Sequence, residues 1–271
     1  MGAALFALDT KSMQKIAPVV KRVVIVDANP ASARLMSDLL KGFGCRDVAV
    51  EADDERIIDL AREMEPGLFI IERAGPKLDG EKLARRIRRS SLSSRRAPII
   101  MVTAEATASV IKGARDAGVH EFLRKPFTSG DLYRRIENLA TKPRDWVEAV
   151  GYVGPDRRRF NSTDYVGPRK RKADANSGLM DQAGVKDQAM KILASAITQF
   201  NSDPVQAVRA IREQSRILKA IAVKNGDAPL AIAAAGLDTE LDLGHVSLAQ
   251  LQGPIRQILS LAPPETFARQ A

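Results

Sequence analysis

The chain is short of cysteine, aromatic residues, histidine and long apolar runs, and each shortage excludes something. Cys45 stands alone among 271 residues, so there is no internal disulfide framework, and a reducing compartment suits the chain. Aromatics make up 4%, too few for a platform that stacks on exposed bases. His120 and His245 have no second ligand at metal-binding spacing and read as ordinary structural or surface residues. No apolar run approaches the length of a membrane span. The start MGAALFALDT has no basic residue ahead of its apolar patch, which argues against a signal peptide. Gly2 hints at myristoylation, but Phe6 stands where that motif needs Ser or Thr. These absences predict a cytoplasmic protein without a membrane span.

What is present is charge and periodicity. The formal net charge of +9 suggests anionic partners without saying which. From Arg22 to Ala140 short apolar runs alternate with amphipathic stretches. The runs are VVIV (23–26), VAV (48–50), LFII (68–71), IIMV (99–102) and EFL (121–123). Runs this short, rich in Val and Ile, predict strands covered on both faces, hence a parallel sheet. Helical spacing fills 30–42, 54–64, 80–90, 106–117 and 128–140, the first opened by Asn29-Pro30. The fold class is therefore α/β, a doubly wound five-stranded parallel sheet. A basic linker and a small all-α domain follow. The expected boundaries are an N-terminal extension 1–21, the α/β domain 22–141, a basic flexible linker 142–184, a helical domain 185–265 and a tail 266–271.

In a doubly wound sheet the ligand site lies beyond the carboxyl ends of the strands. Four polar side chains end strands here: Asp27, Glu72, Thr103 and Lys125. Two carboxylates, a hydroxyl and an ammonium in one crevice suit a hard divalent cation with a phosphoryl group.

The stretches VVIVDANP, FIIERAGPKLDG, PIIMVTAEA and FLRKPF, in this order and spacing, resemble the receiver domain of two-component response regulators. The resemblance covers residues up to about Thr141 and extends to none of the tail. It implies that Glu72 occupies the position of the phosphoaccepting aspartate. Asp27 matches the first acid of the metal-binding pair, and Ala28 stands where the second acid is lost. Thr103 and Lys125 match the groups that contact the phosphoryl oxygens, Phe122 the aromatic switch residue, and Pro126 a cis-proline. With Ala28 in place of an acid, Mg²⁺ is expected to bind weakly or not at all. Glu72, one methylene longer than aspartate, is expected to pair with Lys125 rather than accept phosphate, and no enzyme activity follows. The resemblance also implies docking of signalling proteins through residues 106–140; the apolar stripes of the helical tail, outside the resemblance, read as an output or self-association module.

Three further features are rich in basic residues: ARRIRRSSLSSRR (84–96), the linker, and Arg209, Arg212, Arg216 and Lys219, which step by three and four along a tail helix and read as an ordinary basic face. The stretch 151–178 repeats a phrase, Tyr152-Val153-Gly154-Pro155 returning as Tyr165-Val166-Gly167-Pro168, each copy leading into basic residues. Tyr152, Arg157, Arg158, Arg159, Tyr165, Arg169, Lys170, Arg171 and Lys172 thus form a candidate anion-binding linker for a cyclic dinucleotide or nucleic acid. A solvated, extended tether is the simpler alternative. In the tail, helical stripes run from Ala189 and from Val205, the latter after an Asp203-Pro204 cap. Ser247 and Gln250 form a capping box for a segment interrupted near Gly253-Pro254. PLAIAAAGL (229–237) faintly suggests a helix-turn-helix.

Overall fold

The computed structural model describes residues 10–157, 182–243, 246–262 and 266. These fall into two compact units, one holding residues up to Trp146 and again from Val153, the other holding Val147–Tyr152 and the chain from Ser177.

The first unit opens with a helix, α1 (Thr10–Val20), followed by β1 (Arg22–Val26), α2 (Pro30–Gly42), β2 (Asp47–Glu51), α3 (Ile57–Met64) and β3 (Leu68–Glu72). A two-residue hairpin, β4 (Ala74–Gly75) and β5 (Leu78–Asp79), leads into α4 (Gly80–Arg89). Then come β6 (Ile99–Thr103), α5 (Ala108–Asp116), β7 (Glu121–Arg124), α6 (Ser129–Thr141), the short strand β8 (Trp146–Glu148), of which Trp146 alone belongs to this unit, and β9 (Val153–Pro155).

The five long strands form one parallel sheet in the order β2-β1-β3-β6-β7. Alternation along each strand explains the double winding. Val23 and Ile25 of β1 join Leu68 and Ile70 of β3 in a core under α1, α2 and α6. Val24, Val26, Phe69 and Ile71 enter a second core under α3, α4 and α5. With both faces covered, a near-continuous apolar run is what each central strand requires.

At the amino edge of this sheet sits a charged cluster that sequence reasoning did not single out. Arg88 is 1% exposed. Its Nε donates to Gly118 O at 2.9 Å and its Nη1 to Arg95 O and Ala97 O at 2.7 and 2.8 Å. Its Nη2 lies 3.1 Å from His120 Nδ1, which also takes the Ile99 amide at 3.3 Å. Burial and the neighbouring Arg88 and Arg144 hold His120 well below the ordinary imidazole value. Glu121, also buried, meets Arg144 at 3.0 Å and Arg135 at 3.5 Å. His120 is thus a structural acceptor.

The second unit contains α7 (Gln182–Thr198), α8 (Pro204–Asn225), α9 (Ala228–Asp242) and α10 (Leu248–Ser260) around one apolar core that includes Met190, Ile211, Leu237 and Ile255. Asp203, Asp227 and Ser247 cap the last three. The segment 147–152 belongs here because α8 holds it. Gln206 Nε2 donates to Glu148 Oε1 at 3.2 Å, Gln214 Nε2 to Glu148 O at 3.1 Å, and Val150 enters the core.

Several expectations differ from this. The extension 1–21 contains α1, whose Ile16, Val19 and Val20 are buried in the first core beside α6; Lys15 pairs with Glu137 of α6 at 3.3 Å. The segment read as a flexible linker from 142 carries β8 and β9, with Val150, Tyr152 and Val153 buried. Helical structure resumes at Gln182, three residues before the expected boundary. The third tail segment runs unbroken through Gly253-Pro254 as α10, because its capping box and its buried Leu251, Ile255 and Ile258 outweigh the one backbone donor that proline removes. PLAIAAAGL lies within the single helix α9. The basic stripe of α8 is ion-paired in part, Arg212 with Asp242 at 2.6 Å and Lys219 with Asp238 at 3.0 Å. His245 and nearly all of 263–271 lie outside the described residues.

Candidate functional site

The carboxyl ends of β1, β3 and β7 meet in a cleft of about 500 Å³ lined by Asp27, Ala28, Asn29, Pro30, Glu72, Ala74, Gly75, Pro76 and Lys125. Local chemistry sets each side chain. Asp27 follows four buried residues of β1, and its Oδ1 takes the Asn29 amide at 2.9 Å. Asn29 in turn caps α2 through the amides of Ala31 and Ser32. Glu72 ends β3, and the chain beyond it folds back, with the Gly80 amide donating to Arg73 O at 2.8 Å. Lys125 follows β7 and precedes a cis peptide bond to Pro126.

Lys125 organises the cluster. Its Nζ donates to Glu72 Oε2 in a short contact and to Asp27 Oδ2 at 3.3 Å. Two carboxylates therefore share one ammonium. Burial pushes the Glu72 carboxyl above the ordinary glutamate value, against the pull of Lys125. Burial works to lower the Lys125 ammonium, but Glu72 and Asp27 outweigh it and hold it above the ordinary lysine value. The groups where a metal would sit fit a divalent cation poorly. Both carboxylates point at an ammonium, Ala28 lines the cleft with a methyl where a ligand oxygen would be needed, and among the described residues no three His, Cys, Asp or Glu side chains gather.

The structure thus brings Asp27, Ala28, Glu72 and Lys125 together. Thr103 is buried at the end of β6, outside the cleft lining, with its hydroxyl accepting the Glu105 amide at 3.1 Å. Arg73 reaches Glu105 at 3.1 Å and ties the loop after β3 to the loop after β6. Nothing in the sequence pattern marked that tie. Phe122 is half-buried against the core under α3, α4 and α5. Tyr152 is buried in the helical unit. Arg157 pairs with Asp116 at 3.0 Å. Arg158, Arg159, Tyr165, Arg169, Lys170, Arg171 and Lys172 lie outside the described residues.

A five-stranded parallel sheet with acids and a lysine gathered at its carboxyl edge has the architecture of a receiver domain. Residues 23–137 match the family model of the response regulator receiver domain. The transcriptional regulatory protein PdtaR of Mycobacterium tuberculosis is 28% identical over 170 residues, spanning 63% of this chain and 81% of that protein. The DNA-binding response regulator MtrA of Mycolicibacterium smegmatis is 30% identical over 117 residues, 43% of this chain and 49% of its own. Among solved structures, the receiver domain of the sensor histidine kinase PA1611 from Pseudomonas aeruginosa is 28% identical with a TM-score of 0.40, covering 44% of this chain and 96% of that one. No helix among the described residues is long and apolar enough to cross a membrane.

Proposed function

We propose that this protein is a cytoplasmic signal-transduction adaptor, built on a receiver domain that works through protein–protein contacts without aspartyl phosphorylation. The observation that carries this reading is the Lys125 ammonium bound to both Glu72 and Asp27. A glutamate ends β3 where the resemblance places the phosphoacceptor, and its carboxylate is already matched by the cation that would meet a phosphoryl group. Ala28 leaves the cleft one acid short, so Mg²⁺ binds weakly there. The cleft acts as a fixed ion cluster and supplies no catalysis. Signalling partners dock on the receiver surface at 106–140 or on the helical unit.

The test is labelling by a small phosphodonor. The wild type and Glu72→Asp alone take up no label from acetyl phosphate with Mg²⁺, whereas Glu72→Asp with Ala28→Asp does. A Mg²⁺-dependent beryllofluoride adduct on the wild-type protein defeats the reading.

A further inference from the structure

One short phrase occurs twice in the chain. Tyr152-Val153-Gly154-Pro155-Asp156-Arg157 returns thirteen residues later as Tyr165-Val166-Gly167-Pro168-Arg169-Lys170. The first copy is built into the receiver unit from Val153 onward. Val153, Gly154 and Pro155 are all buried as β9, beside α4. The seat is tight: a Cβ on Gly118 would come within 2.6 Å of Val153 O. Gly154 takes φ 157, a backbone setting that side-chain-bearing residues rarely adopt. The Asp156 amide donates to Asp145 O at 2.8 Å. Arg157 then reaches Asp116 Oδ1 at 3.0 Å. Burial works to raise the Asp116 carboxyl, yet Arg157 and Arg115 hold it below the ordinary aspartate value.

The seat therefore reads a branched apolar residue, a glycine, a proline, a backbone amide, and a cation four positions after the first. The second copy has each in the same register: Val166, Gly167, Pro168, the amide of Arg169, and Lys170 in place of Arg157. A tether needs only length and polarity. It does not need to repeat the features that one pocket of its own receiver holds.

We propose that the seat formed by α4, Gly118, Asp116 and Asp145 is a peptide-docking site with two ligands in the same chain. The first copy occupies it here, and the segment Val166–Lys170 takes its place when the first leaves. With the first copy seated, 24 residues (158–181) lead to α7; with the second seated, 11 residues (171–181) remain. The exchange moves thirteen residues, roughly 45 Å of extended chain, from one side of the seat to the other. The receiver thus sets the length of tether free to the helical unit. This inference does not depend on the chemistry of Glu72.

Trp146, the only tryptophan, adjoins Asp145 and reports on the seat. The experiment uses the full chain with Val153→Asp and Arg157→Glu, with Val166→Asp and Lys170→Glu, or with all four. Each two-site variant keeps the wild-type Trp146 emission maximum, and only the four-site variant shifts to the red. In the first-copy variant, hydrogen exchange slows at Val166, Gly167 and Arg169. A synthetic peptide spanning 165–171 restores the emission of the four-site variant saturably, and a scrambled peptide does not. If the four-site variant unfolds, the same peptide is added to wild type, where it speeds exchange at Val153, Gly154 and Asp156. The idea fails if the first-copy variant alone gives the full red shift with no slowing at 166–169, or if the peptide acts no differently from its scrambled form.

Discussion

The two edges of the receiver sheet both bury charge, and they do so in opposite ways. At the amino edge Arg88 gives its protons to three carbonyls and His120, and Glu121 lies between two arginines. At the carboxyl edge two acids share one lysine beside a cleft. One edge holds its charges against fixed backbone carbonyls and arginine side chains and serves the fold. The other keeps a surplus carboxylate next to open space, an arrangement a fold alone does not need.

That contrast is open to measurement. The largest effect belongs to Arg88→Met. It strands three carbonyls, that of Gly118 fully buried and those of Arg95 and Ala97 partly so, and costs about 3–5 kcal/mol, read as a lower urea midpoint at an unchanged denaturant slope. Lys125→Met leaves Asp27 and Glu72 facing each other and costs about 2 kcal/mol; adding Glu72→Gln to it recovers part of that loss. A loss at Lys125 larger than that at Arg88 would erase the distinction between the edges.

Acid separates them further, with opposite signs. His120 sits below its ordinary value of 6.5, so its contribution is present above that pH and is lost as pH falls, by up to about 1.4 kcal/mol per pH unit. His120→Asn flattens the decline. Glu72 sits above its ordinary value of 4.5. Its contribution is full below that value and is lost as pH rises through the raised one. Glu72→Gln therefore removes a shallow fall in stability above pH 4.5, the smallest of the four changes. Urea midpoints taken from pH 4 to 8 check both slopes.

The same two edges show what the sequence makes legible. The carboxyl edge follows from chain order, because an apolar run that ends in a polar residue places that residue at a strand end, and parallel strands end together. Asp27, Glu72 and Lys125 were readable for that reason. Thr103 was half readable: its position follows from β6, but its hydroxyl is turned by the local bond from Glu105. The amino edge was not readable. Arg88 lies among Arg85, Arg86, Arg89, Arg95 and Arg96, and only the packing of α4 against the turn at Gly118 selects which guanidinium goes inside. The strands β8 and β9, three residues each, lack the length for a periodic signal. Helix α1 was missed because its apolar positions mean little until α6 stands beside them.

That last contact bears on how the molecule is made. The first helix among the described residues, α1, packs against the last helix of the receiver, Ser129–Thr141. At about 5–20 residues per second, roughly 5–20 s pass on a ribosome before α6 follows α1 out. Throughout that interval the greasy stripe of Ile16, Val19 and Val20 lacks its final cover. Helix α1 leaves the ribosome before α6 and is completed only by it, and a nascent chain stalled anywhere between the two is a ready client for a chaperone.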